Sequence, residues 1–188
     1  MPAAVSAPPA KKNRIPIISG EWGYSTHRRG VSLETQAAFA ARQQLSNLLN
    51  GVPLSIWYDW KNDGADPNEN EHNFGTVLPD LEPKPAYVAI QTLTRELTGY
   101  RIARRISLPG EQDFVLLCSR KTGGQKLAAW TLEEPHEVSL EISAQGEANL
   151  KMVSGSGLGS TAKVDSGRLV LELKSAPQYV TLGQAVLK

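Results

Sequence analysis

A single cysteine in 188 residues excludes an internal disulfide framework. Cys118 sits in the apolar run Phe114-Val115-Leu116-Leu117-Cys118, where it reads as a small buried hydrophobe and leaves the compartment open. Neither sign of charge dominates. Twenty Lys and Arg stand against nineteen Asp and Glu, a net +1, and no basic run exceeds two residues, which argues against an electrostatic nucleic-acid surface. No apolar stretch is long enough to span a bilayer. Residues 1–10 lack both the charged start and the continuous apolar segment of a secretory signal, so no export signal is expected and localisation stays unassigned. His27, His72 and His136 are scattered without metal-ligand spacing, so neither a metal nor a cofactor is expected.

What is present changes character along the chain. Residues 1–13, rich in Ala, Pro and Ser and closing on Lys11-Lys12, read as a flexible lead-in. Ile15, Ile17 and Ile18 form a short apolar run ending at Ser19-Gly20, the pattern of a strand covered on both faces. A helix is then expected from Ser32 as N-cap, with Glu34 in its first turn, a stripe of Ala37, Ala41, Leu45 and Leu48, and a stop at Gly51. Residues 52–56 form a second short strand. Strand, helix and strand with short links make a βαβ unit with parallel strands. Residues 59–83 are a long polar loop, and residues 85–98 a closing helix with Tyr87, Ile90, Leu93, Thr94 and Leu97 on one stripe.

From Tyr100 the period becomes two. Ala128, Trp130 and Leu132 alternate with other residues, as do Val138, Leu140, Ile142 and Leu169, Leu171, Leu173. Turn signals separate them at Pro109-Gly110, Gly123-Gly124, Glu134-Pro135, Gly146, residues 155–159 and Ser166-Gly167, which indicates an antiparallel sandwich. The glycines of residues 155–159 open no helix, so they read as a hairpin rather than a phosphate loop.

The chemistry concentrates at two strand ends. Glu21 ends the first strand and is followed by Trp22, Gly23 and Tyr24; a carboxylate there, beside aromatic rings, is a candidate nucleophile or general base for carbohydrate chemistry. The alternative is a surface carboxylate paired with Arg28 or Arg29. Trp57 ends the second strand, followed by Tyr58-Asp59-Trp60-Lys61-Asn62-Asp63-Gly64. Trp22, Trp57 and Trp60 suit either a sugar-stacking wall or a core. Asp59, Lys61, Asn62 and Asp63 suit either sugar hydroxyls or a loop held by its own Asx turns and salt bridges. Residues 63–71 are oxygen-rich but carry no EF-hand pattern, so a plain loop is preferred to a calcium site.

Taken together, residues 17–25, the Trp-Tyr-Asp-Trp-Lys-Asn-Asp-Gly string and Pro83-Lys84-Pro85-Ala86-Tyr87 resemble the last quarter of the catalytic barrel of retaining β-glycanases and β-glycosidases. The resemblance implies a (β/α)8 fold whose nucleophilic Glu ends strand seven, here Glu21, and whose sugar-stacking Trp ends strand eight, here Trp57. Beside these two, Trp22, Tyr24, Trp60, Asp59, Lys61 and Asp63 are the further substrate-binding candidates, from their own chemistry. The resemblance spans residues 14–99, a partial barrel, and residues 100–188 resemble the β-sandwich attached to such barrels. A whole barrel takes about 250 residues, so strands one to six and the acid/base Glu of strand four have no counterpart here. The resemblance therefore implies a carbohydrate substrate and a need for a complementary barrel chain or a homo-oligomer. A non-catalytic binding module and a purely structural sandwich remain the alternatives.

Overall fold

The computed structural model describes residues 15–143, 148–183 and 185–187. The expected lead-in, Arg14 and the turn at Gly146 lie outside them.

Helix α1 spans Leu33–Leu49 and begins where its cap predicts, the Ser32 hydroxyl accepting the Thr35 amide N–H at 3.1 Å. It buries Gln36, Ala38, Ala40, Ala41 and Leu45. Leu48, expected on that stripe, is exposed, while its neighbour Leu49 packs against the helix–sheet core in that turn. Helix α2 spans Pro85–Leu97, with Pro85 in its first turn and Gly99 at φ +80° just beyond its end. Its expected stripe divides. Ala86, Ala89, Leu93 and Leu97 are buried, while Tyr87, Ile90 and Thr94 line a hollow on another face. The alanines let α2 lie close to its neighbours, and that fixes which face turns inward.

Eight strands follow: β1 Arg101–Ile106, β2 Asp113–Ser119, β3 Gln125–Thr131, β4 His136–Glu141, β5 Ala148–Val153, β6 Gly159–Asp165, β7 Arg168–Leu173 and β8 Gln178–Thr181. They form one antiparallel sheet in the order β1-β2-β3-β8-β5-β6-β7-β4. The sequence pattern anticipates a sandwich. The continuity comes from two residue pairs, Met152 with Val180 and Val153 with Tyr179, that join β5 to β8. The turn at Ser166-Gly167 has positive φ at both residues, the primed geometry that suits a two-residue hairpin, and the 155–159 glycines do close the β5–β6 hairpin, with the Ser154 N–H donating to the Leu158 carbonyl.

The sheet curls around one apolar core and carries both helices on its outside over a second. Alternation along β2 sends Val115 and Leu117 into the inner core and Leu116 and Cys118 toward the helices. Along β3, Leu127 and Ala129 point inward while Ala128 and Trp130 point outward; along β8, Val180 and Tyr179 divide likewise. Hence the unbroken apolar run of residues 114–118. Leu169, Leu171 and Leu173 of β7 close the inner core, whereas Leu132, beyond the end of β3, is exposed. Burial drives the Cys118 thiol up to about 12, so it stays protonated and unreactive.

Polar ties reinforce the helix–sheet contact. Arg42 of α1 donates to the Thr131 carbonyl at 2.8 Å and to the Ser175 carbonyl at 2.7 Å. Glu96 of α2, buried, accepts from Lys126 of β3 at 2.7 Å. Burial pushes the Glu96 carboxyl up, but Lys126 and Arg95 outweigh it and hold it below the usual carboxylate range. At one edge of the sheet, β1 shows exposed Arg101, Arg104 and Arg105, charges that blunt an unpaired strand. None of the described helices is long and apolar enough to cross a membrane.

Because Leu45 of α1 packs in one core with Leu116, Ala128 and Trp130 of the sheet, Leu45→Ala is expected to destabilise the whole chain by about 2–5 kcal/mol. Far-UV and near-UV circular dichroism should report one shared transition with the lower midpoint; separate melting of helices and sheet would contradict the shared core.

Candidate functional site

Two extended segments lie side by side before and after α1. Ser19 and Ser55 form a parallel bridge, with the Ser19 N–H donating to the Leu54 carbonyl and the Ile56 N–H to the Ser19 carbonyl, both at 2.9 Å. The parallel βαβ unit is therefore present, as a single bridge rather than as two regular strands. Gln43 and Asn47 of α1 reach the Ser55 hydroxyl at 3.4 and 2.8 Å, so this face of the pair turns toward the helix. The opposite face is bare: Ile18, Leu54 and Ile56 are all about half exposed, and Ile15 is 90% exposed. The expectation that Ile15, Ile17 and Ile18 form a buried strand is thus wrong for this chain. An apolar run of that kind needs neighbours on both sides, and the described residues supply only the Ser55 segment.

Further along, the Tyr58 N–H donates to the Trp22 carbonyl at 2.7 Å, which sets Trp22 rather than Glu21 opposite Trp57: the first segment bends at Glu21 and runs one residue ahead of its partner. That approach explains Gly23, whose added Cβ would lie 1.7 Å from the Tyr58 carbonyl oxygen. Glu21 is exposed and has no ion-pair partner among the described residues, so the alternative of a pair with Arg28 or Arg29 does not hold.

The aromatics gather in two groups, and Glu21 lines neither of the hollows they form. Tyr24 is central to the first group, 6.0 Å from Trp22, 6.4 Å from Trp57 and 4.5 Å from Phe39 of α1 between ring centres. Trp22, Tyr24 and Phe39 line a hollow of about 340 Å³ with Arg42, Gln43 and Asn47. On the other side Trp57, Asp59, Trp60, Tyr87, Ile90 and Thr94 line a hollow of about 530 Å³. Trp57 joins the two, and its indole N–H is buried without an acceptor. Tyr58 turns away onto Phe74, 5.4 Å between ring centres. Partial burial, and then the carboxylates of Asp63, Glu71, Asp59 and Glu21 in that order, raise the Tyr58 hydroxyl above its ordinary value.

The 59–83 loop is more ordered than its composition suggests. A 3-10 turn at Glu71–Asn73 and bridges of Val77 with Lys61 and Pro83 organise it. Asp59 accepts the Lys61 N–H at 3.3 Å in an Asx turn, while the Lys61 and Asp63 side chains remain exposed. Asn62 is buried and cannot serve as an exposed sugar contact: its Oδ1 accepts from Lys84.

Two supporting residues escaped the sequence reading. Gln36, fully buried on α1, donates to the Tyr24 carbonyl at 2.7 Å and the Phe74 carbonyl at 3.2 Å, pinning both loops to the helix. A glutamine four residues before Ala40 on the helix's buried side was its one sequence signal. Lys84, 3% exposed, donates to Thr26 Oγ1 at 3.0 Å, the Asn73 carbonyl at 3.2 Å and Asn62 Oδ1. No carboxylate pairs with it among the described residues, and burial lowers its ammonium to about 8.

This architecture is related to that of glycoside hydrolases. Among solved structures the chain is similar to a family 39 glycoside hydrolase from the gut symbiont Bacteroides cellulosilyticus WH2, at 28% identity and a TM-score of 0.78, covering 89% of this chain and 34% of that one. It is similar in fold to a GH30 endoxylanase from Clostridium papyrosolvens C71, at 7% identity and a TM-score of 0.59 over 86% of this chain and 40% of the other. The catalytic domain of GH30 xylanase C from Talaromyces cellulolyticus gives 16% identity and 0.55 over 94% and 42%. The chain thus spans well under half the length of each. No family model and no curated protein sequence matches it.

Lys84 yields a pH test. Its folded value near 8 lies below the ordinary 10.5, so between those values the unfolded chain holds a proton that the folded chain has released, and stability contributed by this group rises with pH. Lys84→Met is expected to remove that rise. Urea midpoints of both proteins from pH 7.5 to 10.5 check it; parallel curves would show that Lys84 keeps its proton in the fold.

Proposed function

We propose that this chain is the carboxyl-terminal part of a retaining hydrolase of β-linked glycans or glycosides. Residues 14–99 contribute the last two βα units of its barrel and residues 100–188 its accessory β-sandwich. The observation that carries this reading is Glu21: exposed, without an ion-pair partner among the described residues, and next to Trp22, which lies opposite Trp57 across the two parallel segments. In the proposed role Glu21 attacks the anomeric carbon and Trp57 supports the sugar ring through its apolar face. Trp22, Tyr24 and Trp60 wall the cleft, and Asp59, Lys61 and Asp63 offer polar contacts at its rim.

Retention needs a second carboxyl group about 5–5.5 Å from the first to protonate the leaving oxygen. The reading assigns that group to a complementary barrel chain or another copy of this one. The bare face of Ile18, Leu54 and Ile56 supports this assignment, because exposed strand apolar groups gain by being covered and the related enzymes are more than twice as long.

Light scattering on the purified chain, with hydrolysis of chromogenic β-glycosides measured on the same fractions, tests the proposal. Activity confined to a multimer or to a mixture with a complementary barrel fragment, and reduced at least 10³-fold in Glu21→Gln, is the expected outcome. Robust activity in a monomer would overturn the need for a partner, and activity surviving Glu21→Gln would overturn the nucleophile.

The second reading is a non-catalytic carbohydrate-binding module, favoured by the buried, unpartnered Trp57 indole N–H and by the 60% exposure of Trp60. Under it, glycan binding measured by calorimetry persists in Glu21→Gln and is lost in Trp57→Ala. The structural alternative predicts no binding to either protein.

A further inference from the structure

Far along the chain from the Glu21 loop, a second constellation forms where the β3–β4 turn meets the start of β2. Asp113 is the first residue of β2 and pairs in register with Thr131, the last of β3. Glu133 and His136 flank the Glu134-Pro135 turn that leads into β4. One ligand atom from each of Asp113, Glu133 and His136 lies within 4.8 Å of the other two. Asp113 and His136 are 23 positions apart in sequence, which is why no ligand spacing was visible there.

The histidine ring sets the chemistry. Its Nδ1 is 2.9 Å from the Glu134 carbonyl oxygen, a group that only accepts, so the ring's N–H belongs on Nδ1. Nε2 then turns its lone pair to Asp113 Oδ2, 3.1 Å away and also an acceptor. Something positive must stand between them, either a further ring proton or a metal ion. Two observations favour the ion. The Asp113 side chain is only 5% exposed and its other oxygen, Oδ1, is sealed from solvent without a donor, so this carboxylate lacks the hydrogen bonds that would satisfy it within the protein. Glu133, exposed, adds a third ligand on the open side. A metal-bound histidine characteristically commits its other ring nitrogen to a carbonyl, as here.

We propose that Asp113, Glu133 and His136 bind a divalent transition-metal ion, of the zinc type, that fastens the β3–β4 turn to the start of β2. One imidazole and two carboxylates suit such an ion better than calcium, which takes six to eight oxygens. Ligands about 2.1 Å from a shared zinc ion lie within about 4.2 Å of one another; a small rotation of the exposed Glu133 side chain closes the set. Water completes the coordination on the open side.

The test is calorimetric titration of the full chain, stripped with EDTA, with Zn²⁺, alongside thermal melts. One equivalent is expected to bind, and a hundredfold excess over the dissociation constant should raise the Tm by roughly 5 °C, with calcium giving no shift. His136→Gln separates a metal role from a structural one, since its amide N–H can still donate to Asp113 while no longer ligating well. That variant and Glu133→Gln should remain folded and bind zinc at least tenfold more weakly. Absence of zinc binding would overturn the proposal and leave a protonated His136–Asp113 pair, and undiminished binding in both variants would move the ion to other groups.

Discussion

Three strands with apolar groups on both faces dictate the rest of the structure. A strand such as β2, which places Val115 and Leu117 on one side and Leu116 and Cys118 on the other, is stable only when both sides are covered. The curl of the sheet covers one side and the pair of helices covers the other. Removing either cover would expose apolar area from β2, β3 and β8 together. Residues before and after position 100, which differ in period and composition, are therefore bound into one packing unit through Trp130, Tyr179, Leu45 and Leu93.

That constraint also sets the position of Glu21. Helix α1 lies on the sheet through Leu45 and is tied to it through Arg42; Gln43 reaches both Ser19 and Ser55, Asn47 holds Ser55, and Gln36 holds the loops beyond through the Tyr24 and Phe74 carbonyls. The candidate site is thus suspended from the sheet by one helix, with its polar side chains as the attachment points. The apolar face turned away from that helix, by contrast, has no such cover among the described residues. The glycoside hydrolases to which the fold is related carry more than half of their length beyond what this chain matches.

Much of this was legible in the sequence, where local rules and tertiary packing agree. The Ser32 cap, the helix end near Gly99 and the hairpin at Ser166-Gly167 follow from backbone chemistry that acts over a few residues. The parallel relation of the Glu21 and Trp57 segments followed from their spacing about one helix. Legibility failed where burial depends on remote partners. Ile15, Ile17 and Ile18 have the pattern of a covered strand but no cover; Tyr87, Ile90 and Thr94 have helical spacing but turn to the Trp57 hollow; Asn62, polar and in a loop, is buried by Lys84. The Asp113 constellation could not be read from spacing at all, since strand pairing creates it.

Gln36 has a mechanical consequence. One amide nitrogen donates to the carbonyls of both Tyr24 and Phe74, which belong to the loops after the first and the second parallel segment. Neither loop can shift alone without stretching a bond to a fully buried group. Because α1 is itself held on the sheet through Leu45 and Arg42, both loops inherit the position of that helix, and one amide supplies the anchoring that two separate contacts would otherwise have had to give.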